Sequence, residues 1–225
     1  MSEFAAGPAG RIERVRALMV ERGYDAIVVR DEANLRWLTG VKGVFDYTFE
    51  FPHAAFITAD QCLFHTDSRY LNSFEENTPA GSPWVFDMDE GTIPGWVAGK
   101  IAANKCRVCA VEDDMQINFY QGIQRGLEDR SVACMLPLMH DDIRKMRAIK
   151  DAEEIELMRH AQSITDAAFQ HMLGFIKPGM TEKQVRNELE NFMFANGADS
   201  LAFGSIVASG PNTANPHAVP LSLIH

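Results

Sequence analysis

Residues 203–220 read FGSIVASGPNTANPHAVP, an apolar stretch that runs into a polar loop. The first eight residues predict a β-strand, and the glycine, proline and asparagine residues at 210–216 restrict the backbone that follows. His217 stands at the tip of this predicted loop. A histidine there can transfer a proton or hydrogen-bond a substrate carbonyl. The alternative is a surface histidine without a function.

The segment before this stretch predicts two helices. Apolar or small polar residues at spacings of three and four mark one face of a long helix over residues 151–176, and Pro178-Gly179 ends it. That face comprises Ile155, Met158, Gln162, Thr165, Phe169, Met172 and Ile176. The second helix, over 181–196, opens with the capping box Thr181-Glu-Lys-Gln184. Two helices and one strand bury little surface, so residues 141–225 predict an incomplete α+β domain.

The N-terminal region has a different pattern. Short apolar runs at 26–29, 54–58, 62–66, 84–86, 106–111 and 131–136 predict strands, with helices over 12–22, 93–104 and 117–128. The second and third runs are close enough to form a hairpin. Strands alternating with helices, together with one hairpin, predict an α/β domain with a mixed sheet over residues 1–140.

Composition restricts the possible classes of protein. The 225 residues are 46% hydrophobic and 23% charged, which is typical of a globular protein and argues against disorder. The net charge of −10, without a dense basic run, argues against nucleic-acid binding. We find no apolar run long enough to cross a membrane, and the N-terminus lacks a signal-peptide pattern. Four cysteines do not make a disulfide framework, so a cytoplasmic protein is expected.

Other candidate metal or redox residues are better explained as structural. His65 and Asp67 are too few for a metal site, and His160 and His171 lie about three helical turns apart. The segment His140-Asp141-Asp142 is expected to form caps and turns at the domain junction. The Cys106–Cys109 spacing lies within an apolar strand pattern, which predicts core cysteines.

Several segments together resemble the pita-bread metallopeptidases, the family of Xaa-Pro aminopeptidases, prolidases and creatinase. RIERVRALMVERGYDAIVV at 11–29, NLRWLTG at 34–40 and HTDSRY at 65–70 resemble its N-terminal domain. Three further segments resemble the start of its catalytic domain: MRAIKDAEEIELMRHAQSITDAAF at 146–169, IKPGMTEKQV at 176–185 and the stretch at 203–220. The resemblance implies a creatinase/prolidase-type domain at 1–140, followed by a truncated first half of the pita-bread domain at 141–225.

The same resemblance implies a function. Family members hydrolyse the peptide bond before proline with two divalent metals, manganese or cobalt, and His217 matches the histidine that contacts the substrate near the scissile bond. The five metal ligands of the family follow this histidine, so no metal ligand is assigned to any residue here. The expected protein is a truncated member of the family, inactive by itself, whose intact parent acts on proline-containing peptides as a homodimer. The alternatives are a metal-free binding module, creatine hydrolysis or a lyase acting on dimethylsulfoniopropionate.

Overall fold

The computed structural model describes residues 7–45, 52–88 and 91–222. The chain divides into two compact units, Met1–Ile149 and Lys150–His225. Among the described residues, no helix combines the length and the apolar character needed to cross a membrane.

The first unit is built on a five-stranded sheet. Its strands are β1 (Ala26–Val29), β2 (Ala54–Thr58), β3 (Cys62–His65), β4 (Val85–Asp87) and β5 (Cys109–Val111), in the spatial order β4-β3-β2-β1-β5. The β1–β2 and β2–β3 pairs are antiparallel, whereas β1–β5 and β3–β4 are parallel. The predicted hairpin and the predicted mixed sheet are therefore confirmed.

In the described part of the first unit, six helices accompany this sheet: α1 (Gly7–Arg22), α2 (Glu32–Thr39), α3 (Leu71–Asn77), α4 (Ile93–Ala103), α5 (Ile117–Glu128) and α6 (Asp142–Ala148). A hydrophobic core lies on each face of the sheet. Along β1, Ile27 and Val29 belong to one core, while Ala26 and Val28 belong to the other. Both faces of the strand are buried, which explains why its sequence is a continuous apolar run.

The end of the first unit differs from expectation in two respects. The predicted strand at 131–136 is reduced to isolated bridges, which pair Met135 with Val108 and Leu138 with Val111. Beyond it, α6 belongs to the first unit because Ile143 is 2% exposed in the same core as β1. The compact unit therefore extends past residue 140, where the sequence placed the boundary.

The second unit contains α7 (Ala152–Phe175), α8 (Glu182–Ala195) and a short 3₁₀ helix, Gly210–Ala214. The apolar face predicted for α7 is buried only in part, since Met172 is the one residue it shares with the buried strip of the described helix. Ile164, Ala168 and Met172 form the buried strip, whereas Met158 and Phe169 are 58% and 61% exposed. The strip follows a spacing of four, and α7 packs against α8.

The segment before the 3₁₀ helix also differs from the prediction. Residues 203–209 carry no strand, although their sequence is strand-like, and Phe203 and Ile206 are 75% and 46% exposed. A strand needs a neighbour for its backbone hydrogen bonds, and the part of the chain that the structure describes pairs none with this segment.

Candidate functional site

His217 lies on an exposed turn that follows the 3₁₀ helix. Backbone hydrogen bonds shape this turn: Asn215 N donates to Asn212 O at 3.1 Å, and Ala218 N donates to Asn215 O at 3.2 Å. Pro216 precedes the histidine and fixes its own φ angle, while Ala218 after it is 5% exposed. The imidazole is therefore presented to solvent on a backbone that is restrained on both sides.

The loop is anchored at the first residue of α8. Thr181 caps this helix by accepting a hydrogen bond from Gln184 N at 3.2 Å, and the Gln184 side chain accepts one from Thr181 N at 2.9 Å. This is the predicted capping box, and it is confirmed. Glu182 follows the cap and is 2% exposed. A carboxylate at this place is favoured by the positive end of the helix dipole.

Glu182 joins the two ends of the loop that carries His217. At one end, Oε1 accepts a hydrogen bond from Ser209 N at 2.7 Å, and Oε2 accepts one from Asn212 Nδ2 at 2.8 Å. At the other end, Oε2 accepts one from Leu221 N at 2.7 Å. Lys183 N also donates to Leu221 O at 3.1 Å. The segment 209–221 is therefore hydrogen-bonded at both of its ends to one buried carboxylate.

Glu182 is not among the residues predicted to be functional from the sequence. Its only signal in the sequence is an acidic residue in the first turn of a capped helix, and such residues are most often exposed to solvent. Its partners lie 27 to 39 residues further along the chain, so no local pattern reveals them.

The other candidate residues have structural roles. His65 is buried, with Nδ1 3.1 Å from Pro52 O, and the Asp67 carboxylate pairs with the Arg69 guanidinium. His171 Nε2 lies 2.7 Å from Glu188 Oε1, and its ring stacks on a phenylalanine between α7 and α8. His140 Nδ1 lies 3.7 Å from Asp113 Oδ1.

The cysteines are part of the core, as predicted. Cys106 and Cys109 are 3% and 0% exposed in the core that contains α4 and α5. Burial raises the pKa of the Cys106 thiol to about 11 and that of Cys109 well above its usual range. These thiols stay protonated at neutral pH and are poor nucleophiles.

A buried carboxylate in the first unit also organises a turn. Glu112 is 5% exposed and accepts hydrogen bonds from Arg30 N, Asp31 N and Asn34 Nδ2 at 2.5, 2.7 and 2.7 Å. The Asn34 oxygen in turn accepts a hydrogen bond from Arg147 Nη1 at 2.8 Å. Burial raises the pKa of Glu112 to about 7, although these hydrogen bonds lower it. The group links β5, the start of α2 and the end of α6.

The described residues do not fit a metal centre. Across 7–45, 52–88 and 91–222, no three histidine, cysteine, aspartate or glutamate side chains are grouped so that they could hold a metal ion. The chemistry available at the loop is therefore that of the His217 imidazole, which can donate a hydrogen bond to a substrate oxygen or accept a proton.

Comparison with known proteins agrees with this organisation. A family model described as Creatinase/Prolidase N-terminal domain matches residues 11–149, and one described as Metallopeptidase family M24 matches residues 156–223. A curated relative from Bacillus subtilis (strain 168), named uncharacterized peptidase YqhT, is 31% identical over 212 residues, which are 93% of this chain and 56% of that protein.

Two solved structures share the fold. The Xaa-Pro dipeptidase from Bacillus anthracis matches with a TM-score of 0.82 and 30% identity, over 97% of this chain and 57% of that one. The X-Pro aminopeptidase from Thermotoga maritima MSB8 matches with a TM-score of 0.77 and 26% identity, over 95% and 57%. The chain thus spans little more than half the length of these proteins. It belongs to the creatinase/prolidase family, with a Creatinase/Prolidase N-terminal domain followed by residues of metallopeptidase family M24.

Proposed function

We propose that this chain is the first part of an Xaa-Pro peptidase, a longer parent enzyme that hydrolyses the peptide bond before a proline. The observation that carries the proposal is His217, an exposed imidazole on a restrained loop inside the segment that matches metallopeptidase family M24. The likeness of the whole chain to an Xaa-Pro dipeptidase supports the reaction. In this proposal the N-terminal domain and the first part of the catalytic domain correspond to the two compact units, Met1–Ile149 and Lys150–His225.

His217 contributes a hydrogen bond in this mechanism. The protonated ring nitrogen donates to the oxygen of the scissile carbonyl or of the tetrahedral intermediate, where negative charge develops during the reaction. Such a donor accelerates hydrolysis only if it is already in position, because reorientation would cost part of the stabilisation. The hydrogen-bonded turn and the flanking Pro216 supply that restraint.

We assign two divalent metals, manganese or cobalt, to the parent enzyme and none to the residues described here. Since these residues hold no metal-binding group, we expect the 225-residue chain to be inactive by itself. The exposed apolar side chains of α7, such as Phe169 and Leu173, support a parent enzyme in which further chain packs on this helix.

The proposal is tested by reading the source DNA across codon 220 in all three frames and expressing the encoded protein beside the 225-residue chain. We expect the encoded protein to hydrolyse Ala-Pro with added Mn²⁺ and to leave Ala-Ala largely intact. Replacing His217 with alanine should lower kcat by about 100-fold, the typical effect of losing one oxyanion donor. His160→Ala is the matched control, because His160 is an exposed histidine on α7.

Two results would contradict the proposal. The first is equal hydrolysis of Ala-Pro and Ala-Ala, or no hydrolysis of either, by the encoded protein. This result would favour a metal-free binding module or another reaction on the same scaffold. Rapid Ala-Pro hydrolysis by the 225-residue chain alone would contradict the assignment of the metals to further chain.

The homodimer and the cytoplasmic location are further parts of the proposal. They are supported by the family resemblance and by a composition without a disulfide framework. Light scattering on the purified parent enzyme measures the first, and fractionation of the source cells measures the second.

A further inference from the structure

We propose that Glu182 is a positioning residue: it fixes the shape of the loop 209–221 and so determines where His217 is presented. The proposal rests on the function proposed for His217. It concerns a residue that does not touch the substrate and acts only through the loop.

The hydrogen bonds of Glu182 reach both ends of the loop. Ser209 N and Asn212 Nδ2 bind on the side that precedes His217, and Leu221 N binds on the side that follows it. Ser209 Oγ lies at 3.4 Å from the same Oε1 atom and adds a weaker contact. A loop held at both ends by one group has few ways to move its tip relative to α8.

The chemistry of these contacts specifies a carboxylate. Each of the four named partners is a donor, so both oxygens of Glu182 act as acceptors. A glutamine would turn an NH₂ group toward at least one of these donors and leave a buried N–H without an acceptor. An aspartate keeps the charge, but its shorter side chain cannot hold the two ends of the loop equally well.

The interior of the loop transmits this restraint to His217. Thr213 Oγ1 donates to Gly210 O at 2.7 Å, and the successive turns at Asn212 and Asn215 continue from the anchored end to the histidine. Small displacements matter, since a shift of about 1 Å in a reacting group can cost about 100-fold in rate. Replacement of Glu182 should therefore change the position of the His217 side chain without unfolding α8.

The first test uses NMR on the full 225-residue chain. We compare wild type with Glu182→Gln and with the control Glu190→Gln, a residue further along α8 whose ion-pair partner is Arg186 at 3.9 Å. In Glu182→Gln we expect amide exchange at Ser209 and Leu221 to accelerate at least tenfold and the ring proton signals of His217 to move. Exchange within α8 should stay unchanged.

A second variant covers the case in which Glu182→Gln unfolds the second unit. Asn212→Ala removes one donor to Glu182 and leaves the carboxylate buried, so the helix should persist while the His217 signals move. Unchanged exchange at Ser209 and Leu221 together with unmoved His217 signals would overturn the proposal.

The second test measures kinetics in the parent enzyme that hydrolyses Ala-Pro. Glu182→Gln should lower kcat at least tenfold and leave KM within about twofold, Glu182→Asp should lie between it and wild type, and Glu190→Gln should match wild type. A kcat equal to that of wild type in Glu182→Gln would refute a positioning role. If the wild-type protein does not hydrolyse Ala-Pro, the proposed function fails, whereas the NMR result still decides whether Glu182 holds His217.

Discussion

The buried carboxylate Glu112 predicts an unusual dependence of stability on pH. Its pKa is raised to about 7 by burial, whereas an unfolded chain leaves a glutamate near the ordinary value of 4.5. The folded state therefore holds a proton on Glu112 over a pH range in which the unfolded state does not. The resulting stabilisation is fully present below about pH 4.5 and is lost as the pH rises through about 7.

The size of this effect follows from the two pKa values. The pKa of Glu112 is about 2.5 units higher in the folded state than in the unfolded state. As the pH rises from 5 to 8, the free energy of unfolding should therefore fall by about 2 to 3 kcal/mol. Glu112→Gln removes the titration. It also turns an NH₂ group toward backbone donors, which should cost about 1 to 3 kcal/mol at any pH.

Urea unfolding followed by tryptophan fluorescence isolates the effect. The chain has three tryptophans, and all of them, Trp37, Trp84 and Trp96, are buried in the first unit. We expect the stability of wild type relative to Glu112→Gln to shrink from pH 5 to pH 8. The control Glu156→Gln replaces an exposed carboxylate on α7, outside the unit that contains the tryptophans. A difference for Glu112 that stays flat or grows with pH would refute the reasoning.

Two further predictions concern the same unit. His53 is fully buried among aromatic rings, and its pKa is lowered to about 4, chiefly by burial, so its contribution to stability is present above pH 6.5 and lost as the pH falls through about 4. In wild type, the free energy of unfolding measured by fluorescence should therefore fall by about 3 kcal/mol more between pH 6.5 and pH 4 than in His53→Phe. An equal fall in both proteins would contradict this prediction. A Cβ atom on Gly126 would lie 2.8 Å from the Ala98 Cβ, so Gly126→Ala should lower the unfolding midpoint by separating α5 from α4. A Cβ atom on Gly99 of α4 would meet Arg130 Nη2 at 3.9 Å, an ordinary contact distance, so Gly99→Ala should stabilise the unit by up to about 1 kcal/mol and is the matched control.

The parts of the fold that the sequence predicts are those with local causes. The continuous apolar run at 26–29 is buried on both faces, and the hairpin at 54–65 follows from two apolar runs separated by a short polar turn. The capping box at Thr181 is equally local, because its two hydrogen bonds join residues three apart. In each case the interacting groups are close enough in the chain to be recognised together.

The buried face of α7 could not be predicted in this way. The helix carries apolar side chains around much of its circumference, so periodicity alone permits more than one buried strip. Which strip is buried depends on the elements that pack on the helix, and in the described structure Ile164 and Ala168 are buried whereas Met158 and Phe169 are exposed. Gln162 and Thr165, which the sequence places on the same apolar face, are exposed and form hydrogen bonds within their own helix.

The same distinction separates the two residues of the candidate site. His217 was recognisable because a histidine among prolines, glycines and asparagines is unusual locally and matches a family pattern. Glu182 was not, since its partners are separated from it by 27 to 39 residues and its burial depends on the loop folding back onto α8. A residue that contacts a substrate must have an accessible side chain. A residue that holds such a side chain in position is instead surrounded by distant parts of the chain. Sequence patterns therefore find the first kind more readily, and a structure is needed to find the second.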